Sequence, residues 1–258
     1  MPTRQLGKYK LYYQGEWDER LFAKCMTIVG SRRMTDYGKR VIEKIVPKLV
    51  QDGWTIVSGF MYGVDQYAHK ICMENGGRTI AVLGWGINYP ISNDEFLISK
   101  KIIGLGGLVV SQWEDQIPTL WTFPARDQVM AAIGHELIVI EAATKSGSLI
   151  TAEMAYKLGK PIWAIPGPIT SSVSMGTNQL IADGKARIYQ YHPLDPPLKL
   201  RGGNPQEGVI LSLIQNEGLD ASEIARRLNR PISEVGAELT MLLLKGDIEE
   251  RGGKYFQC

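Results

Sequence analysis

Met26-Thr27-Ile28-Val29-Gly30-Ser31-Arg32-Arg33 sets the frame for the whole chain: an apolar, β-prone run feeds directly into a small turn residue, a hydroxyl and two guanidinium groups. A short apolar run closed by glycine reads as a buried strand, and the loop after such a strand is where open parallel sheets bind ligands. Working outward, similar runs return at residues 54–57, 79–83, 108–111, 137–140, 162–165 and 187–189. Between them, residues 37–51, 64–75 and 149–158 repeat their apolar side chains at intervals of three and four, the spacing of helices with one buried face. This alternation predicts a doubly wound, mostly parallel α/β sheet over residues 1–190.

With 258 residues and 44% hydrophobic content, the chain has ample material for a core. A 22% charged fraction and a net charge of +2 exclude a histone-like basic protein and an acidic disordered one, so any anion site must be local. The cysteines, Cys25, Cys72 and Cys258, are odd in number and far apart, which argues against a disulfide scaffold and a zinc site. Residues 1–15 lack the apolar stretch of a secretory leader, and no run approaches the ~20 residues of a membrane span. The expected setting is a reducing cytoplasm, with no membrane contact.

Residues 191–205, with His192-Pro193-Leu194-Asp195-Pro196-Pro197 near their start and Gly202-Gly203 near their end, read as a linker. Beyond it, three short helices at 207–215, 221–229 and 233–245 precede a hairpin, 247–251 and 254–257, that turns at Gly252-Gly253. Residues 206–258 thus have the outline of a small winged helix. From 205 onward there are six Lys or Arg against nine Asp or Glu, a charge of −3 that leaves +5 elsewhere. Its third helix carries Glu234 and Glu238 and one terminal lysine, so a docking role suits it better than reading a duplex major groove.

Three loops on one sheet edge have the chemistry to hold phosphate. Gly30-Ser31-Arg32-Arg33 offers two guanidinium groups, Ser58-Gly59 through Gly63 allows close backbone approach, and Lys145-Ser146-Gly147-Ser148 opens a helix beside a lysine. None is a Walker loop or a Gly-x-Gly-x-x-Gly fingerprint; Leu83-Gly84-Trp85-Gly86 runs into Asn88-Tyr89-Pro90 rather than a helix. ATP hydrolysis and nicotinamide chemistry are disfavoured, and no cofactor is expected. Of Phe60, Tyr62, Trp85, Tyr89, Trp121 and Phe123, the best base-stacking candidate is Phe123, in a Phe123-Pro124-Ala125-Arg126 loop stiffened by proline and charged by Arg126. His69, four residues after Asp65, suits a local core or capping role, and an acidic cluster of Asp65, Glu141 and Glu153 is the one catalytic arrangement to weigh. Binding is favoured over catalysis.

Several of these motifs occur together in a known order. Ile28-Val29-Gly30-Ser31-Arg32, Val57-Ser58-Gly59 with Gly63-Val64-Asp65 and Ala68-His69, and Thr79-Ile80-Ala81-Val82-Leu83 come first. Phe123-Pro124-Ala125-Arg126, Glu141-Ala142 before Lys145-Ser146-Gly147-Ser148, and Pro166-Gly167 before Gly176-Thr177-Asn178 follow. Over about residues 11–190 the set resembles the DNA-processing protein A (DprA/Smf) family. The resemblance implies an extended Rossmann-like domain, in many members with a winged helix behind it. It implies a non-enzymatic protein that binds and protects single-stranded DNA, helps to load the RecA recombinase in transformation or repair, and forms a homodimer. Carried over by motif, Arg32, Ser58, Gly59, Arg126, Lys145, Ser146, Gly147 and Ser148 are the expected contacts, completed by Gly176 and Asn178. Two positions depart from the family pattern: Met61-Tyr62 supplies no arginine, and Asp127-Gln128 stand where relatives tend to have Asn-Arg. The amino-terminal helical domain of many members is expected to be absent. Competing readings are a phosphoribohydrolase like the cytokinin-activating LOG group, whose Pro-Gly-Gly-x-Gly-Thr signature is missing, and a nucleotide-sensing module.

Overall fold

The computed structural model describes residues 1–190, 205–214, 217–245 and 247–257. The chain divides into two compact units, Met1–Tyr189 and Gln190–Cys258. In the first, a hairpin of β1 (Thr3–Leu6) and β2 (Tyr9–Gln14) precedes β3 (Cys25–Val29), α1 (Asp36–Gln51), β4 (Thr55–Ser58), α2 (Val64–Glu74), β5 (Thr79–Val82) and α3 (Asn93–Gly104). Then come β6 (Leu108–Ser111), α4 (Thr122–Ile133), β7 (Glu136–Val139), α5 (Gly147–Lys157), β8 (Ile162–Ala164), α6 (Met175–Ala182) and β9 (Arg187–Ile188). The sheet order is β1-β2-β6-β5-β4-β3-β7-β8-β9. From β6 to β9 every neighbouring pair is parallel, while β2 lies antiparallel along β6. Strand structure therefore begins well ahead of residue 26, where the apolar pattern places the first strand.

Side-chain alternation assigns the two faces of β3. Met26 and Ile28 pack with Ile42, Ile45 and Val46 of α1 and with Val64 and Ala68 of α2. Cys25 and Val29 face the opposite layer, with Val129 and Met130 of α4 and Ala152 of α5. Burial on both faces is why these strands read as unbroken apolar runs. Thr27, wholly buried in the middle of β3, satisfies its hydroxyl by donating to the Met130 carbonyl at 3.0 Å. Burial also pushes the thiols of Cys25 and Cys72 up to about 12, which leaves both unreactive.

The segment expected to be a Phe-Pro loop is instead the first turn of α4, which begins at Thr122. Pro124 fits there because the first-turn N–H groups have no intrahelical acceptor in any case. This places Phe123 and Arg126 on one rigid element. More important for function, β3 has β4 on one side and β7 on the other. Chain direction away from β3 reverses at that point, so the loops after β3 and β7 diverge and leave a crevice between them.

The second unit contains α7 (Pro205–Ile214), α8 (Ala221–Leu228), α9 (Ile232–Lys245), β10 (Ile248–Arg251) and β11 (Lys254–Gln257). Ile210, Leu213, Ile224, Val235, Leu239 and Ile248 form its own core. Three helices and a hairpin make the winged-helix arrangement. The expected linker at 191–205 lies outside the described residues except for Pro205, which opens α7. Among the described residues no helix is long and apolar enough to cross a membrane.

Candidate functional site

The crevice at the β3–β7 reversal has a volume of about 600 Å³. Gly30, Ser31, Arg32 and Arg33 enter it from the β3–α1 loop, Phe123 and Arg126 from α4, and Lys145, Ser146, Gly147 and Ser148 from the turn that opens α5. Ser146 is the N-cap of α5: its hydroxyl accepts from the Ser148 N–H and lies 2.7 Å from the Ser148 hydroxyl. One wall is therefore a helix N-terminus carrying two hydroxyls, a surface that favours anions. Lys145 stands exposed just ahead of it. Across the crevice the Arg32 guanidinium lies 5.4 Å from the centre of the Phe123 ring. Among the described residues Arg32, Arg33 and Lys145 form no ion pair, so their charge is available to a ligand.

The floor has a different character. Arg126 is only 4% exposed, donating from Nε to Asp127 at 2.9 Å and from Nη1 to the Val82 carbonyl at 2.9 Å. Asp65 and Asp127, both buried, border the same crevice. Burial raises Asp65 to about 6 against the pull of Arg126, with Asp127 pushing it further up; burial also raises Asp127. The expectation of Arg126 as an outward-facing phosphate cation is corrected: its guanidinium is held inside the protein, balancing two buried carboxyls. The exposed positive charge sits on the rim.

Four other expected contacts lie outside the crevice lining and support it. Ser58 is buried and donates to the Ile28 carbonyl at 2.6 Å, tying β4 to β3. Gly59 leaves room for Asp65 and Arg126, whose side chains would collide with any Cβ there. The N–H of Gly176 donates to the Ala142 carbonyl at 2.7 Å, which fixes the start of α6 against the β7–α5 loop. Asn178 grips both the N–H and the carbonyl of Gly167, at 3.2 and 3.0 Å. That grip anchors the loop carrying Ser172 and Val173, two crevice residues to which no sequence motif points.

The acidic cluster is not assembled. Glu141 accepts from the N–H and hydroxyl of Thr35 at the start of α1, Glu153 pairs with Lys185 at 2.9 Å, and Asp65 faces Arg126. Among the described residues no group of His, Cys, Asp and Glu could hold a metal ion. Of the six aromatic candidates, Phe60 and Trp85 are core residues, Trp121 packs edge-on against Trp113 at 5.5 Å, and only Tyr62 and Phe123 line the crevice. Tyr62 is 58% exposed, so a base has access to its ring.

His69 lies beneath the site, fully buried, its Nε2–H donating to the Gly59 carbonyl at 2.7 Å and its Nδ1 lying 2.7 Å from the Thr79 hydroxyl. Burial lowers it to about 4 from 6.5. Its neutral form is the folded form, so stability from this group is lost as pH falls from 6.5 toward 4. Asp65 has the opposite sign: the cost of its buried charge is present above about 6 and is relieved as pH falls toward 3.8. The two slopes oppose each other over one pH window. Asp65→Asn removes one of them, and its urea midpoint is expected to fall more steeply than that of the wild type on acidification through this window. Parallel midpoint curves for the two proteins would contradict that assignment.

This fold and this crevice define a Rossmann-like protein with a cation-rimmed crevice at its topological switch point and a winged-helix unit. The chain belongs to the DNA recombination-mediator protein A family, whose profile matches residues 6–193. The profile of the DprA winged helix domain matches residues 194–254. The chain is 38% identical over 177 residues to DNA processing protein DprA of Streptococcus pneumoniae, covering 67% of this chain and 61% of that one. It is 31% identical over 264 residues to Protein Smf of Escherichia coli, covering 95% and 70%. It thus spans about three fifths of the length of the pneumococcal relative. The X-ray structure of pneumococcal DprA superposes with a TM-score of 0.63 at 33% identity, over 71% of this chain and 67% of that one. DNA processing protein A of Helicobacter pylori, whose structure concerns its single-stranded DNA binding mode, superposes with a TM-score of 0.61 at 30% identity, over 69% and 80%.

Proposed function

We propose that the chain is a non-enzymatic single-stranded DNA-binding protein that protects incoming or damaged strands in the cytoplasm and mediates RecA loading during transformation or recombination, working as a homodimer. The observation that carries this reading is the rim of the crevice: Arg32 and Arg33 border it from the β3–α1 loop and Lys145 stands just ahead of the α5 N-terminus, all three without ion pairs among the described residues, beside a space bordered by Phe123 and Tyr62. Cations that track a backbone beside aromatic faces suit a flexible strand whose bases can stack. Family membership and the similarity to the H. pylori structure support the choice of ligand. Against the phosphoribohydrolase reading stands the separate commitment of Glu141 to Thr35 and of Glu153 to Lys185.

The winged-helix unit is given no part in strand capture. Among the described residues its arginines are occupied by acids: Arg227 by Glu217 and Glu223, Arg230 by Glu234 and Glu238, Arg226 by Glu223 and Arg251 by Glu249. A gel shift with labelled oligothymidylate, a duplex of equal length and a competing mononucleotide tests the proposal. The full chain and a chain ending at residue 190 are both expected to prefer the single strand, to gain affinity with its length and to lose it with salt at a log-log slope of about −0.7 per neutralised phosphate. Equal competition by mononucleotide would favour a small-ligand sensor, and base released from nucleoside monophosphates would favour the enzyme.

A further inference from the structure

Beside the crevice, and sharing Arg32 and Arg33 with it, runs a second depression of about 570 Å³. One wall is a face of α2, where Gln66, Tyr67, Lys70, Met73 and Glu74 recur at helical spacing. Ile98 and Lys101 of α3 form the other wall. Met34, Met73 and Ile98 give it an apolar floor. Gly63 makes the junction between the two spaces. At φ +86° it starts α2 so close to the β3–α1 loop that a Cβ would meet the Ser31 carbonyl at 2.5 Å and the Arg32 carbonyl at 2.7 Å.

The charge on this groove is one-sided. Arg32, Arg33, Lys39, Lys70 and Lys101 border it, with Glu74 the single acid of the lining and Glu43 at its edge accepting from the Tyr67 hydroxyl. Lys39 is engaged by Asp36 at 3.0 Å, and Lys70 reaches Glu74 only at 4.0 Å. Among the described residues Arg33 and Lys101 form no ion pair. The Lys70 ammonium also lies 5.5 Å from the centre of the Tyr67 ring. A cation beside an aromatic face above an apolar floor repeats the chemistry of the crevice rim. The two shared arginines make the two positive surfaces continuous.

We propose that this groove is a second segment of the single-strand path. A strand seated in the crevice crosses Arg32 and Arg33 and continues along α2, with phosphates toward Lys70 and Lys101 and bases against Tyr67 and the methionines. This rests on the single-strand reading of the crevice, from which the test separates it. Affinities are measured for an oligothymidylate of about 4 residues, the small end of single-strand site sizes, and for one of about 16. The proteins compared are the wild type, Arg32→Ala, Lys70→Glu/Lys101→Glu and the milder Lys70→Ala/Lys101→Ala. With the groove variants the short oligomer is expected to bind within about twofold of wild type, while the long one loses about tenfold and its salt slope falls by about 1.4. Arg32→Ala is expected to weaken both oligomers. Unchanged binding of the long oligomer by both groove variants, or an equal loss for both lengths, overturns the extended path and leaves the crevice in place. Wild type that binds neither oligomer overturns both.

Discussion

Replacing Arg126 with methionine is expected to lower the unfolding free energy of the first unit by about 3–5 kcal/mol at neutral pH, the usual consequence of removing one partner from a buried ion pair. Three groups depend on that guanidinium. Asp127 holds it at 2.9 Å, the Val82 carbonyl accepts from it at 2.9 Å, and its charge restrains the burial-raised pKa of Asp65. Methionine fills the volume but leaves two buried carboxyls and an unpaired carbonyl. Both carboxyls are already raised by burial and would rise further, so protonation relieves the deficit as pH falls, and the loss should shrink toward about pH 4. Urea unfolding of the variant beside the triple change Asp65→Asn/Arg126→Met/Asp127→Asn separates charge from packing. The triple change should recover much of the loss because no buried charge remains. A wild-type midpoint for Arg126→Met would mean that the guanidinium is not balancing the floor.

The central parallel strands β3, β4, β5 and β6 were legible because each is buried on both faces, so local composition alone marks them. Helices α1, α2 and α5 were legible because each keeps enough of an apolar stripe or a glycine-opened start to stand out. α4 was not. Thr122, Arg126, Asp127, Val129, Met130, Ala131 and Ile133 are all buried, so its polar and apolar residues are enclosed alike and show no one-sided period. The Phe-Pro pair at its start reads as a turn for the same reason. The β1–β2 hairpin escaped because β1 is exposed along most of its length and offers no apolar alternation.

At the site, sequence revealed chemistry better than direction. The three loops were recognisable from residue type, and two of them, after β3 and β7, supply most of the rim. Whether a cation faces outward is a tertiary fact. Arg32 and Arg126 are alike in composition, yet the first is exposed over Phe123 and the second is buried with Asp127. Asp127, immediately after Arg126, was the local clue to that difference, since an adjacent acid can hold an arginine inside. Ser172 and Val173 had no such clue: they reach the crevice on a loop that Asn178 pins at Gly167 and Tyr37 at Pro166.

That contrast between two arginines gives the sharpest functional expectation. Arg32→Ala combined with Lys145→Ala should weaken single-strand binding about a hundredfold, since a hydrogen bond to a charged group is worth about 1.5–3 kcal/mol. The salt slope should fall by about 1.4, one increment of 0.7 for each phosphate no longer neutralised. Neither side chain takes part in an ion pair among the described residues, so the urea midpoint should stay at the wild-type value, the reverse of Arg126→Met. Arg32→Lys refines the assignment. Lysine keeps the charge and hence the salt slope, but it gives up the planar fork and the placement over Phe123, so affinity should fall several-fold with the slope unchanged. If the double variant bound oligothymidylate as tightly as wild type while remaining folded, the strand would have to lie somewhere other than the β3–β7 crevice.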